Sequence, residues 1–199
     1  MIQAAIFDMG NVLAYFSYEK MFKQACSLTQ LEDSFLREKL LELGIQYELG
    51  ALTTHELYLY FTSLSKATFS EEEFCLAISD IFIDNTSIHP IIHSLKKQNI
   101  PLILLSNTCP AHYQFLMKHH SIIELFDTHI LSYEVGARKP DRAIFEAALF
   151  YAGCSADRCF YTDDIKEYVD AARSLGIDSE IYTDSPLLIE NLRKRQCQL

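Results

Sequence analysis

The sequence predicts an α/β fold: a parallel sheet of about five strands, with a helical segment inserted after the first strand. Short apolar runs alternate with helical patterns after residue 88, whereas between about 17 and 87 only helical patterns are found. Strands that alternate with helices favour a parallel sheet with right-handed crossovers. In such a sheet the carboxyl ends of the strands border the ligand crevice.

The composition is typical of a globular protein with a sizeable core. The chain has 199 residues, of which 49% are hydrophobic and 22% are charged. Its formal net charge of −10 argues against nucleic acid or an anionic membrane as the main partner. No apolar stretch has membrane-spanning length and no signal-peptide pattern is found, so we expect a cytoplasmic protein. The six cysteines form no CxxC pair and are expected to be reduced thiols.

The first strand and the helical segment follow from local patterns. Residues 2–8 are apolar and end at an acid, which predicts a buried strand with a polar turn behind it. Two capping boxes, Thr53 with Glu56 and Ser70 with Glu73, mark helix starts within the segment 17–87. Each precedes an apolar stripe at helical spacing. The stripes are formed by Leu57, Phe61 and Leu64, and by Phe74, Ile78, Ile81 and Phe82.

The remaining elements alternate along the second half of the chain. Glycines at 153 and 176 indicate helix ends, and the strands are short and apolar. In order we predict a helix at 89–98, a strand at 101–107, a helix at 110–120, a strand at 127–133, a helix at 141–152, a strand at 159–164, a helix at 166–175, a strand near 179–183 and a helix after Pro186.

Polar residues follow four of the predicted strands. Taken singly, each has an ordinary explanation as a helix cap or a turn. Together they would meet at one edge of the sheet, which favours a functional site. They are Asp8 after the first strand, Ser106 and Asn107 after the second, Lys139 behind the third, and Asp163 with Asp164 after the fourth.

This set of residue types suits phosphoryl transfer. A carboxylate can attack phosphorus and form an aspartyl-phosphate that water then hydrolyses. Because the two anions repel each other, a cation has to neutralise the approach, and carboxylates without Cys or His suit Mg²⁺. Asp8 and Asp164 are the candidate Mg²⁺ ligands. Lys139 and Ser106, with backbone N–H groups, could hold phosphate oxygens.

Four motifs carry a resemblance to a known family. FDMGNVL, LLSNT, GARKPD and YTDD together resemble the haloacid dehalogenase-like (HAD) hydrolase superfamily, in order and across essentially the whole chain. The resemblance implies a Rossmann-like core with strand order 3-2-1-4-5, formed by residues 1–15 and 88–199. It also implies that residues 16–87 form a small α-helical cap domain.

The resemblance implies a role for each site residue. Asp8 and Lys139 would be catalytic, with Asp8 as the nucleophile. The phosphate would be bound by Met9, Gly10, Ser106, Asn107 and Lys139. Mg²⁺ would be held by Asp8, Asp164 and the main-chain carbonyl of Gly10, with Asp163 supporting the ligands from behind.

The expected function is that of a Mg²⁺-dependent phosphatase. The motif set is most similar to a bacterial sugar-1-phosphate phosphatase branch and to the N-terminal phosphatase domain of soluble epoxide hydrolases. The expected substrate is therefore a small phosphorylated metabolite of the sugar-phosphate type, hydrolysed through an aspartyl-phosphate. Nothing in the pattern indicates the oligomeric state.

Two positions depart from the family pattern and keep other functions open. Gly10 replaces the second Asp that usually acts as general acid and base, and Tyr168 stands where an Asn is usual. One alternative is a weakly active or inactive member that binds a ligand or a partner protein. Another is a 2-haloacid dehalogenase, against which the pair Asp163 and Asp164 argues, because extra negative charge would repel a carboxylate substrate.

Five other residues are assigned ordinary structural roles. His112, His119 and His120 lie on a predicted surface helix and are expected to be solvated. Tyr15 and Phe16 lie where the chain passes from the core into the helical segment; they could line the substrate pocket, although a packing role is favoured.

Overall fold

The computed structural model describes residues 2–199 and shows an α/β fold with alternating strands and helices. The strands are β1 (Ala4–Phe7), β2 (Ala14–Phe16), β3 (Phe82–Asp84), β4 (Leu102–Ser106), β5 (Thr128–Leu131), β6 (Cys159–Asp163) and β7 (Asp178–Ile181). The helices are α1 (Tyr18–Thr29), α2 (Asp33–Glu48), α3 (Thr54–Leu64), α4 (Glu71–Ser79), α5 (His89–Lys97), α6 (Pro110–His119), α7 (Ser132–Val135), α8 (Arg142–Ala152), α9 (Lys166–Ser174) and α10 (Ser185–Lys194).

The main sheet is parallel and has the order β5-β4-β1-β6-β7. Numbered along the chain within this sheet, that order is 3-2-1-4-5, so the predicted topology is confirmed. The central strand β1 is completely buried, because hydrophobic clusters cover both faces of the sheet. Burial on both faces explains why the strands are continuous apolar runs rather than alternating patterns.

The helical segment has a hydrophobic core of its own. Helices α1 to α4 pack around it, and both predicted capping boxes are formed, at Thr53 with Glu56 and at Ser70 with Glu73. The largest apolar side chains buried there are Phe61 and Phe74, and the cluster reaches the start of α6. The two predicted apolar stripes therefore serve mainly as the interior of this small bundle.

The end of the second stripe differs from the prediction. Helix α4 stops at Ser79, and Phe82 lies in strand β3, which pairs antiparallel with β2. No strand was expected between 17 and 87, because the partner strand is almost seventy residues away in sequence. Pairing of Phe16 with Phe82 brings the two ends of the helical segment together.

The expectation of solvated histidines on α6 holds for His119 and is wrong for two others. His120 is buried, and His112 is half-buried and donates from Nε2 to the carbonyl of Ile78 at 3.0 Å. The reason is that α6 packs against α4 of the helical segment. Burial lowers the pKa of His112 to about 4.

Two further properties concern the helices and the cysteines of the chain. Over residues 2–199, no helix combines the length and apolarity needed to cross a membrane. The cysteines of the described chain are free thiols, half-buried or buried.

We predict that His112 makes the fold sensitive to acid. An unfolded histidine takes up a proton near pH 6.5, whereas folded His112 stays neutral to about pH 4, so stability falls as the pH drops through this window. The variant His112→Gln keeps a donor for Ile78 but does not titrate. Urea unfolding between pH 7 and pH 4.5 should show a shallower loss of stability for His112→Gln than for the natural protein.

The matched control is His119→Gln, because His119 is exposed on the same helix. Its unfolding free energy should follow that of the natural protein at every pH. Equal slopes for His112→Gln and the natural protein would contradict the prediction.

Candidate active site

The predicted site residues meet at the carboxyl edge of the sheet. One carboxylate oxygen from each of Asp8, Asp163 and Asp164 lies within 4.8 Å of the others. The Lys139 ammonium donates to Asp8 Oδ1 and to Asp163 Oδ2, both at 2.6 Å. It also donates to the carbonyl of Leu105 at 3.1 Å. A single buried cation thus links the ends of β1, β4 and β6.

Asp163 is the fully buried member of the carboxylate group. Its Oδ2 accepts hydrogen bonds from Lys139 and from the Tyr161 hydroxyl, and its Oδ1 accepts from the backbone N–H of Ile165 at 2.8 Å. Both oxygens are therefore engaged by protein donors. This arrangement suits the predicted role of Asp163 as a support for its neighbours.

The pKa values of Asp8 and Lys139 are shifted by burial and by the charges of neighbouring side chains. Burial raises the pKa of Asp8 to about 7, Lys139 opposes this, and the charge of Asp163 adds to it. For Lys139, burial lowers the pKa, but the two carboxylates outweigh it and hold the pKa above its usual value. At this edge of the sheet three carboxylates lie around one ammonium ion, so negative charge exceeds positive charge. Hard oxygen donors with uncompensated charge fit a divalent cation such as Mg²⁺.

Asp164 lies at the more open side of the group and is half-buried. Its Oδ2 accepts a hydrogen bond from Asn11 Nδ2 at 3.0 Å. Burial raises the pKa of Asp164, and the Asn11 hydrogen bond opposes the shift. Asp164 has one protein donor, compared with three for Asp163, which leaves it freer to bind a metal ion.

The loop that carries Lys139 is fixed by Asn107. The Asn107 amide donates to the carbonyl of Lys139 at 2.9 Å and accepts from its N–H at 2.7 Å. The Tyr168 hydroxyl lies 3.4 Å from the same amide, and its ring lies 5.2 Å from the Lys139 ammonium. Tyr168 thus contacts both the lysine and the residue that orients it. With its side chain engaged, Asn107 can offer a phosphate only its backbone N–H.

A small cavity of about 40 Å³ lies beside these groups, and we call it the phosphate cavity. Its lining includes the remaining predicted phosphate-binding residues, Met9, Gly10 and Ser106. The hydroxyl of Ser106 makes only a long contact of 3.4 Å to its neighbour's carbonyl. Thr108 also lines this cavity, and its Oγ1 is buried without a hydrogen-bond partner in the described chain. Two hydroxyls of the lining residues therefore lack a close protein partner.

The space beside Gly10 is filled by Phe16. A Cβ atom at position 10 would lie 2.9 Å from Phe16 Cε1, closer than such atoms approach. Phe16 also lines the phosphate cavity, the less favoured of the two roles considered for it from the sequence. The Phe16 ring packs against Tyr18 and Phe82. It therefore occupies the space that the side chain of an acid at position 10 would need.

Sequence patterns missed several residues that the structure brings to the site. Asn11 and Thr108 lie inside the motifs FDMGNVL and LLSNT, three residues after Asp8 and one after Asn107. This closeness in sequence could have identified both as site residues. Tyr161 precedes Asp163 by two and so faces the same side of its strand. Glu48 and Arg138 form an ion pair of 2.7 Å between α2 and the Lys139 loop. No local pattern pairs two residues so far apart.

Comparison with known proteins gives a consistent result. The haloacid dehalogenase-like hydrolase family matches residues 2–176. The chain is similar to the sesquiterpene phosphatase astK of Aspergillus oryzae, with 28% identity over 96% of this chain and 95% of that protein.

Two solved structures share the fold. One is the HAD family enzyme bt-2542 of Bacteroides thetaiotaomicron, in complex with magnesium and inorganic phosphate, with a TM-score of 0.80, 23% identity and coverage of 92% of this chain and 96% of that one. The other is a HAD-like family hydrolase of Porphyromonas gingivalis, with a TM-score of 0.81, 22% identity and coverage of 97% and 98%.

We predict that Gly10→Asp alone lowers both stability and phosphatase turnover, because the new side chain meets the Phe16 ring. In the double variant Gly10→Asp/Phe16→Ala the carboxyl group has room and can act as a general acid. A general acid contributes about 10²–10⁴-fold, mainly for poor leaving groups. Relative to Phe16→Ala alone, the double variant should hydrolyse alkyl phosphates at least tenfold faster, with little change for nitrophenyl phosphate.

Thermal unfolding of the four proteins provides the structural check. A Gly10→Asp protein as stable and as active as the natural one would show that Phe16 does not occupy the position of the acid.

Proposed function

This chain belongs to the haloacid dehalogenase-like hydrolase family, and on that premise we propose that it is a Mg²⁺-dependent phosphatase. The observation that carries the proposal is the group of three carboxylates around one buried lysine. Asp8 lies at its centre, bonded to Lys139 and within reach of the same ion as Asp164. A cation bound there would offset the charge of the three carboxylates and favour the ionised form of Asp8, whose pKa is raised by burial.

The named relatives support phosphate chemistry. The Aspergillus relative is named a phosphatase, and the Bacteroides structure contains both magnesium and inorganic phosphate. Both cover more than nine-tenths of this chain. The proposed substrate is a phosphate monoester, and the sugar-phosphate type expected from the motifs stays a prediction.

The proposed reaction has two displacements at phosphorus. In the first, an Asp8 carboxylate oxygen bonds to phosphorus, the P–O bond to the alcohol breaks, and the alcohol oxygen takes a proton from water. In the second, water attacks the aspartyl-phosphate, which releases inorganic phosphate and restores the carboxylate. Lys139 holds Asp8 and offsets its charge, while Ser106 and backbone N–H groups donate to phosphate oxygens. Mg²⁺ held by Asp8, Asp164 and the Gly10 carbonyl would supply charge neutralisation.

We also propose that residues 16–87 act as the cap over this site and that residues 1–15 and 88–199 form the core domain, residue 1 lying outside the described residues. The chain enters and leaves the helical segment through the paired strands β2 and β3. The Glu48–Arg138 ion pair joins α2 to the loop of Lys139. The proposal is also supported by the lining of the phosphate cavity, to which Phe16, Tyr18 and Glu48 of the helical segment contribute.

The first prediction concerns the nucleophile. Asp8→Asn should lower kcat for nitrophenyl phosphate by at least about a thousandfold, because an amide cannot form the covalent intermediate. The fold should persist, since Lys139 keeps its bond to Asp163. Asp157→Asn, an exposed substitution away from the site, is the matched control. Appreciable turnover by Asp8→Asn would contradict the mechanism, and release of halide from 2-haloacids would identify a dehalogenase instead.

A second prediction separates the two adjacent acids. Asp164→Asn should raise the Mg²⁺ concentration needed for half-maximal activity more than tenfold, while unfolding without Mg²⁺ is unchanged or occurs at higher urea, because one excess charge is removed. Asp163→Asn should lower the free energy of unfolding by roughly 3–5 kcal/mol, since it breaks a buried ion pair. Urea unfolding with and without Mg²⁺ measures both effects. Equal, mild effects from the two variants would mean that the acid pair is purely structural.

A further inference from the structure

A second cavity lies between the helical segment and the rest of the chain, and we call it the cap cavity. It has a volume of about 280 Å³ and a mostly apolar wall, to which Cys109, His112 and Arg138 contribute from outside the helical segment. The apolar side chains of that wall come from all four helices α1 to α4. They are Met21, Leu40, Leu41, Ile45, Leu57 and Ile78. A wall of this composition stabilises an apolar group, which loses contact with water on entering it.

The cap cavity adjoins the phosphate cavity. Tyr18, Glu48 and His112 line both of them. The shared lining means that the two cavities lie side by side, so the organic part of a monoester with its phosphorus beside Gly10 would lead past these three residues toward the cap cavity. On this basis the two cavities would serve one substrate, with its phosphate at the core end and its organic group at the cap end.

Three polar groups in the wall of the cap cavity already have protein partners. The Tyr47 hydroxyl is bonded to Thr54 at 2.6 Å, and Glu48 forms an ion pair with Arg138 at 2.7 Å. His112 Nε2 donates to a backbone carbonyl at 3.0 Å. The hydroxyls of a sugar would give up hydrogen bonds to water and find few replacements here, which disfavours their burial.

Two apolar residues at the edge of this cavity are left half-exposed. Leu41 is 55% exposed and Ile45 is 50% exposed, one helical turn apart on α2. Their position in the wall means that an apolar ligand would cover them.

Gly44 leaves room for a ligand in the cap cavity because it has no side chain. It lies inside α2 with an ordinary helical φ, and a Cβ atom there would have nothing within 4 Å. Neither the backbone conformation nor close packing requires a glycine, although glycine weakens a helix interior relative to alanine. The consequence of having no side chain at position 44 is an open cap cavity, whose wall Gly44 forms in part.

We propose that the substrate is the phosphate monoester of an apolar alcohol with about ten carbon atoms, whose organic group fills the cap cavity. The size follows from volume: an apolar cavity of about 150 Å³ holds one benzene molecule, so 280 Å³ holds roughly ten carbons. This inference rests on the proposed phosphatase function. It replaces the sugar-phosphate expectation with an apolar substrate class.

The test compares kcat/KM for a set of phosphates in the presence of Mg²⁺, below any micelle-forming concentration. The set contains acetyl phosphate, glucose 1-phosphate, glucose 6-phosphate, geranyl monophosphate and straight-chain alkyl phosphates from three to twelve carbons. Geranyl monophosphate should exceed both glucose phosphates by at least a hundredfold. Along the alkyl series kcat/KM should rise roughly two- to fourfold per methylene and level off near ten carbons.

A substitution that fills the cavity links the preference to this site. Gly44→Leu should lower kcat/KM for geranyl monophosphate at least tenfold, mainly through KM, and shift the plateau of the alkyl series to shorter chains. Gly44→Ala should give a smaller shift in the same direction. Gln46→Leu adds the same side chain to an exposed position of α2 outside the cavity and should leave the ratio of geranyl to acetyl phosphate hydrolysis unchanged.

The outcomes separate this inference from the function on which it rests. Acetyl phosphate has a two-carbon organic part that does not need the cap cavity, so its Mg²⁺-dependent hydrolysis reports phosphatase activity alone. If the natural protein does not hydrolyse acetyl phosphate in the presence of Mg²⁺, the proposed function is wrong. Hydrolysis of acetyl phosphate together with a preference for glucose phosphates, a flat alkyl series, or an unchanged geranyl preference in Gly44→Leu would overturn the apolar substrate class and leave the phosphatase intact.

Discussion

The buried ammonium of Lys139 is the interaction on which the site depends. It contacts Asp8, Asp163 and the carbonyl of Leu105, and so joins three neighbouring strands at their carboxyl ends. A buried carboxylate is stable only with a partner, and here two carboxylates share one cation while Asp164 lies beside them. The charge that remains uncompensated is what makes this edge of the sheet a place for a divalent cation and a phosphate.

The surroundings of Lys139 show how the fold holds a charge in position. Asn107 binds both backbone polar groups of the lysine, and the ring of Tyr168 lies against its ammonium. Tyr168 departs from the residue type usual in the family, yet it contacts the same lysine and the same asparagine. Tyr168 therefore supports Lys139 and Asn107 through an aromatic ring and a hydroxyl group instead of an amide.

Two environments of opposite character meet within one site. At the sheet edge the groups are ionic and buried, and their interactions are strengthened because water is largely excluded. In the helical segment the wall is apolar, and the hydrophobic effect favours burying an apolar group there. The ion pair between Glu48 and Arg138 lies at the junction and connects the two parts of the chain. In the proposed function, the core provides the reacting groups, while the helical segment selects the organic group of the substrate.

The sequence by itself determined the alternation of strands and helices and the polar residues at the carboxyl edge of the sheet, because strand and helix periodicities and terminal polar residues are local signals. The strand order followed from the resemblance of four motifs to a known family. Asp8, Lys139, Asp163 and Asp164 were identified from the local signals, and the structure brings all four together. The tertiary structure alone decided contacts between distant segments. The pairing of β2 with β3, the burial of His112, the Phe16 ring beside Gly10 and the apolar cap cavity all depend on how the helical segment lies against the core. Such contacts depend on packing between surfaces, which no short stretch of sequence encodes.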